Sequence, residues 1–162
     1  MSFNGKSKLI VLAALVIALA IPAFSDTSAT LYLSGTVAKS ASISVTTALG
    51  ASSLNLLSTP ASAITVGTLN EICNSTSGYT VSVQSANAGS LKGAISGNTD
   101  TVPYSFYQNG TAVTLSATAT NMITASSKTT GASQTLTINF TGNSALTADV
   151  YSDTLTFTIA AL

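Results

Sequence analysis

Residues 151–159 read Tyr-Ser-Asp-Thr-Leu-Thr-Phe-Thr-Ile, so Leu155, Phe157 and Ile159 alternate with Thr154, Thr156 and Thr158. A period of two puts apolar side chains on one face and hydroxyls on the other, which fits a half-buried β-strand and no helix. Threonine reinforces this, because a β-branched side chain packs well on a pleated surface. The pattern returns at Tyr79, Val81 and Val83, at Tyr104 and Phe106, at Val113, Leu115 and Ala117, and at Leu136, Ile138 and Phe140. Residues 29–45 alternate over a run longer than a usual strand, with Gly35 or Lys39 as the natural break.

Turn chemistry separates these runs. The sequence Asn74-Ser-Thr-Ser-Gly78 reads as a turn, and Asn109-Gly110 is a tight hairpin signal, because both of its residues tolerate positive φ. Gly67 interrupts the run that Ile64 and Val66 open and marks a bulge. Leu54 and Leu56 suggest a short strand between Gly50 and Ser58-Thr59-Pro60, while residues 86–101 read as a loop with some irregular pairing and 121–133 as a second polar connection. About seven or eight strands result, with no helical period beyond the first residues; this predicts an all-β, antiparallel immunoglobulin-like β-sandwich. A membrane barrel needs strands of about ten residues and two aromatic girdles. Here the runs are shorter and aromatic residues make up 6% of the chain.

Residues 1–25 read as targeting: Lys6 and Lys8 precede an apolar run from Leu9 to Ile21, followed by Pro22 and Ala23-Phe24-Ser25. Such a layout predicts a secretory signal peptide cleaved before Asp26, the alternative being an N-terminal anchor left uncut. The expected organisation is signal peptide 1–25, N-terminal extension or donor strand 26–40, and β-sandwich 41–162. No membrane association is expected after cleavage. The protein is expected to be secreted, crossing a periplasm to the cell surface or beyond.

After cleavage Lys39, Lys92 and Lys128 face Asp26, Glu71, Asp100, Asp149 and Asp153, and the chain has no arginine, histidine or tryptophan. Nucleic-acid binding is excluded, since neutralising phosphates requires clustered Lys or Arg. Charged residues are 6% of the chain, so little repulsion opposes self-association. Cys73 is the only cysteine, so it forms no intrachain disulfide and is expected to be buried as a small apolar side chain. No catalytic, cofactor-binding or metal-binding set is expected. Asp149 and Asp153 read as turn or backbone caps, and Asn98 with Asp100 offers too few oxygen ligands for a calcium loop. Tyr79, Tyr104, Phe106 and Tyr107 could form a sugar-stacking platform, but alternation sends Tyr104 and Phe106 to one face and Tyr107 to the other, which favours core packing.

Taken together, Ile64-Thr-Val-Gly67, Gly78-Tyr-Thr-Val-Ser-Val83 and the final run 151–159 resemble secreted bacterial pilin-like sandwiches, namely archaic chaperone-usher pilins and the spore coat U type of domain. The resemblance implies a sandwich lacking one strand, completed by the N-terminal extension of the next subunit. Residues 29–37 would be that donor strand, with Leu31, Leu33 and Val37 as plugging side chains and Gly35 where only a small residue fits. It also implies a periplasmic chaperone, holding the last strand through Leu155, Phe157 and Ile159, and an usher. Many pilins carry a glycine shortly before the last strand, an aromatic penultimate residue and a disulfide; here Asp149, Ala161 and a lone Cys73 stand instead. The archaic type of pilin is therefore the nearer likeness.

Residues 29–37 suit two arrangements equally, completing a neighbour or folding back as the first strand of their own domain. The expected function is an exported, non-enzymatic structural subunit of a surface fibre or coat that self-associates into a homopolymer by β-strand addition. The alternative is a self-contained secreted adhesin, or a carbohydrate- or protein-binding module, using loops 86–101 and 121–133. A hydrolase would have only Asp100, Asp149 and Asp153 to work with.

Overall fold

The computed structural model describes residues 27–162. The expected signal peptide lies outside these residues. The chain divides into two compact units, Met1–Thr36 and Val37–Leu162. The described part of the first, residues 27–36, carries neither strand nor helix.

In the second unit the strands are β1 (Ala41–Thr47), β2 (Ile64–Cys73), β3 (Tyr79–Ser85), β4 (Ser90–Gly93), β5 (Thr101–Gln108), β6 (Thr111–Val113), β7 (Thr120–Ala125), β8 (Thr129–Phe140), β9 (Tyr151–Ser152) and β10 (Leu155–Ala161). One sheet has the order β1-β2-β8-β5-β4-β9, with β6 added to β5; the other has the order β10-β3-β7. Every pairing is antiparallel. Two antiparallel sheets facing each other make the expected immunoglobulin-like sandwich.

Strand β3 shows why the sequence folds this way: Tyr79, Val81, Val83 and Ser85 are all buried, while Gln84 is exposed. Its partners across the core are Leu69 of β2, Phe106 of β5, and Leu136, Ile138 and Phe140 of β8. Burying a side chain the size of Phe106 contributes about 1.5–3 kcal/mol. Phe106 also meets Phe157 of β10 across the sheets, with ring centroids 6.2 Å apart and planes tilted by 46°. Asn109 and Gly110 have φ of 48° and 80°, and Gln108 pairs directly with Thr111, so the Asn-Gly pair forms the two-residue hairpin turn. The β2–β8 register slips between Thr65 and Gly67, which is the bulge expected at that glycine.

Four expectations need correction. Leu54 and Leu56 form no strand; a 3₁₀ turn at Leu49–Ser52 and a turn closed by Leu57 N donating to Asn55 Oδ1 (3.2 Å) bend the chain, and the two leucines pack on the rim of the core. Most of 121–133 is strand, belonging to β7 and the start of β8. Its alternation was hidden because Val81 pairs with Ile123 and Ser82 with Asn121, leaving Met122 as an extra residue that shifts the phase. Within 86–101 the expected pairing is regular rather than irregular: β4 lies antiparallel to β5 and β9, and its four residues bury only Leu91. The run from Val113 to Ala117 is strand only as far as Val113.

Gly78, in the turn before β3, has φ of +92°, and a Cβ built there would lie 1.8 Å from the Ala125 carbonyl oxygen. Gly110 has a similar φ of +80° but open space around it. Replacing Gly78 with Ala is therefore expected to destabilise the domain by about 2–4 kcal/mol, and Gly110→Asn by less than about 1 kcal/mol. Urea denaturation of both variants checks this, and equal losses would show that the close approach to β7 contributes nothing.

Candidate functional site

Strands β1 and β10 each end a sheet. Among the described residues β1 pairs only with β2, and β10 only with β3. They approach one another across the side of the sandwich, yet no hydrogen-bonded ladder joins them. Their inward-facing residues share a property that their neighbours lack. Ala41 and Ile43 on β1, and Leu155, Phe157, Ile159 and Ala161 on β10, are only half-buried, whereas Tyr79, Val81 and Val83 on adjacent β3 are buried. A strand flanked on both sides hides its inward side chains, so half-burial on both walls leaves an apolar gap between the two edge strands. The gap opens into a cavity of about 320 Å³ lined by Val45, Leu54, Leu136, Ile138, Leu155 and Phe157.

The structure thus brings Leu155, Phe157 and Ile159 together on one wall of the gap. The expected donor residues are exposed, Leu31 and Leu33 each at 81% and Val37 at 87%. Gly35 has nothing within 4 Å of its Cβ position, and residues 27–40 carry no strand.

Asp153, just before β10, fixes where that wall begins. Its Oδ2 accepts from Ser85 Oγ and from Tyr104 OH, both at 2.6 Å, and its Oδ1 accepts from Asn87 N (2.9 Å) and Thr154 N (2.7 Å). Both sheets and the start of β10 are tied to one carboxylate. Burial, followed by the bond to Asp153, pushes the Tyr104 phenol well above its ordinary range, so it stays a donor.

The other aspartates also act as backbone ties. Asp149 accepts from Ile95 N (2.9 Å), Asn98 Nδ2 (2.7 Å) and Val150 N (2.7 Å), and Asp100 accepts from Thr147 N (2.8 Å). Asn98 turns its oxygen to Asp100 N at 3.0 Å, so it serves the loop itself. Among the described residues no group of three His, Cys, Asp or Glu side chains could hold a metal ion, and no helix is long and apolar enough to cross a membrane. Tyr79 and Phe106 are buried and Tyr104 is bound to Asp153, which leaves Tyr107 without the neighbours a stacking platform would need.

One polar group gave no signal in the sequence. Glu71 of β2 continues the inward series Gly67, Leu69, Glu71, Cys73 and is fully buried. Tyr79 OH donates to its Oε2 across the sheets at 2.8 Å, and Gln134 Nε2 donates at 3.4 Å, while Oε1 has no partner among the described residues. Burial and this bond push the Tyr79 phenol up to about 12.

The loops tied by Asp100 and Asp149 carry a pH dependence. The hydrogen bond from Thr147 N holds Asp100 below the ordinary carboxylate range. At Asp149 desolvation pulls upward, but the bonds from Ile95, Asn98 and Val150 outweigh it and the net shift is downward. A lowered folded-state value means the ties stabilise the loops above the ordinary value of about 3.9, and fail as pH falls below it. Amide exchange at Ile95 and Thr147, corrected for its intrinsic rate, is expected to accelerate below about pH 4. Asp149→Asn and Asp100→Asn should flatten that dependence; an unchanged profile in both variants would refute the assignment.

Residues 27–158 match the Spore Coat Protein U domain. Among solved structures, the crystal structure of the E. coli Hda pilus minor tip subunit, HdaB, is similar at 17% sequence identity with a TM-score of 0.41, over 73% of this chain and 79% of that one. No curated protein matches the chain. The domain match covers nearly all of the described residues, and the chain belongs to the Spore Coat Protein U domain family.

Proposed function

We propose that this protein is an exported structural subunit of a bacterial surface fibre or coat, and that it assembles when the N-terminal extension of one copy fills the β1–β10 gap of another. The observation that carries this reading is the half-burial of the inward residues on both walls of the gap. Residues 29–37 have the right grammar to fill it, since Leu31, Leu33 and Val37 alternate as Leu155, Phe157 and Ile159 do. They also have the length: nine extended residues reach about 30 Å, against about 23 Å for the seven residues of β10.

The energetics favour such an exchange. Each large apolar side chain moved from water into the gap contributes about 1.5–3 kcal/mol. The new main-chain bonds add about 0.5–1.5 kcal/mol each and satisfy the open edges of β1 and β10 together. A periplasmic chaperone would hold the same free edge of β10 before assembly, and an usher would pass subunits outward. Export itself rests on the expected signal peptide at residues 1–25. Membership of the Spore Coat Protein U family supports a structural role, with no catalytic step.

The test is an unboiled denaturing gel of the mature chain beside a version lacking residues 26–37. A ladder of multimers that collapses on boiling and on deletion is expected. Leu33→Asp should deplete the ladder by on the order of 100-fold, the loss of about 3 kcal/mol per contact. A single monomer band from the intact chain, with the deletion merely unfolding it, would overturn the proposal and make 29–37 the domain's own first strand.

A further inference from the structure

The two ends of the gap differ. At the end near Val45 and Leu155 it opens into the cavity, whose walls include the core residues Phe106, Leu136 and Ile138. At the other end a strap closes it. Lys39, just before β1, donates from Nζ to the Leu162 carbonyl oxygen, just after β10, at 2.7 Å. Ser75 Oγ donates to the same oxygen at 2.5 Å, and Leu162 N bonds to Gly78 O at 2.9 Å. The Lys39 side is anchored as firmly. Asn74 accepts from Ser40 N through Oδ1 (2.7 Å), donates from Nδ2 to Ala38 O (2.8 Å), and donates from its own N to Ser40 O (3.1 Å). An exposed lysine thus joins the terminal residues of two edge strands, and three bonds from one asparagine hold its backbone in place.

The back wall changes character at the same level. Ile43 stands opposite Glu71 in the β1–β2 register, and Ala161 stands opposite Tyr79 in the β10–β3 register. The Glu71–Tyr79 hydrogen bond therefore crosses the core directly behind the strapped end. The pair is buried beneath the two edge strands, so this end of the wall presents Ile43 and Ala161 instead of the Phe106, Leu136 and Ile138 surface.

We infer that the Lys39–Leu162 strap, backed by the Glu71–Tyr79 pair, is a register stop that fixes how far the extension of a second copy of this chain can slide along the gap. The inference rests on the strand-addition reading above. Such a stop meets a specific need. A slip of two residues would keep Leu31, Leu33 and Val37 all facing inward, so within the extension's alternating pattern only Gly35 opposes it. Lys39, Asn74 and Ser75 are positioning residues here: the strand itself makes the contacts, and they set where it ends.

Cross-linking measures the register directly. Ser34→Cys on the extension is combined, one at a time, with Thr156→Cys, Thr158→Cys and Ala160→Cys, the exposed positions of β10. These full-length mature chains are oxidised after assembly. Cross-linked multimers are expected at one of the three positions. Adding Lys39→Met should divide the product between that position and the next one, two residues toward the strap, while Lys39→Arg should restore a single position. A purely structural role for Lys39 would lower the yield without moving the position. If Lys39→Met does not fold, Lys39→Gln serves for the same comparison. Multimers whose cross-link position ignores Lys39, or which already occupy several positions in its presence, would overturn the register stop and leave strand addition standing. Monomers throughout would overturn strand addition itself.

Discussion

A strand at the edge of a sheet has one row of peptide groups with no partner, and a folded protein must either protect that row or use it. Natural edges are commonly protected by lysine, proline or a bulge placed along the strand. Strands β1 and β10 have none of these, being Ala-Ser-Ile-Ser-Val-Thr-Thr and Leu-Thr-Phe-Thr-Ile-Ala-Ala. Each is regular, uncharged and apolar on its inward face, and each ends its sheet on the same side of the sandwich. Such a pair is an aggregation hazard if left bare and a template if something is meant to lie between them. The rest of the domain carries these two edges: β2 holds one, β3 holds the other, and Phe106 of β5 packs against Phe157 of β10 across the sheets.

Polar chemistry in this domain serves that geometry. Asp100, Asp149 and Asp153 are met by backbone N–H groups, hydroxyls and the Asn98 amide, and Lys39 by a backbone carbonyl oxygen. Asp153 gathers donors from β3, β5 and the start of β10, and Asp149 and Asp100 fasten the loop after β4 to the loop before β9. A charge-assisted hydrogen bond is about twice as strong as a neutral one and, unlike an ion pair, leaves no lysine exposed at an edge. The surface can then be solvated by Ser, Thr and Asn, which suits a molecule with 6% charged residues.

How legible these features were in the sequence depended on how local they are. The alternation of β3, β5 and β10, the Asn109-Gly110 turn and the Gly67 bulge each follow from a few adjacent residues, and each could be read. Strand β7 was missed because one extra residue, Met122, breaks its phase, and β4 and β9 are too short to show a period. Leu54 and Leu56 looked like a strand because alternation over three residues arises by chance, and turns on both sides leave them no partner. The gap was never visible as a pattern, since it is a relation between the first and last strands, whose residues are over a hundred positions apart. Nor did Glu71 announce itself: it occupies an inward position in a run whose phase is disturbed by a bulge, where a lone acidic residue reads as solvent-facing.

The turn from β2 to β3 has a consequence for the one thiol in the molecule. Cys73 is buried, with its sulfur accepting from Ser75 N at 3.4 Å and lying 3.7 Å from the Gly78 carbonyl oxygen. Both partners are within five residues along the chain. Strands β2 and β3 belong to opposite sheets, so the turn between them crosses the core, and Cys73 is buried in the cluster that holds Leu69, Val81 and Phe106. The sulfur is therefore withdrawn from thiol chemistry only when the two sheets have closed on one another. Reactivity at this one thiol thus reports the parting of the two sheets, which makes Cys73 a built-in probe of the core rather than of the surface.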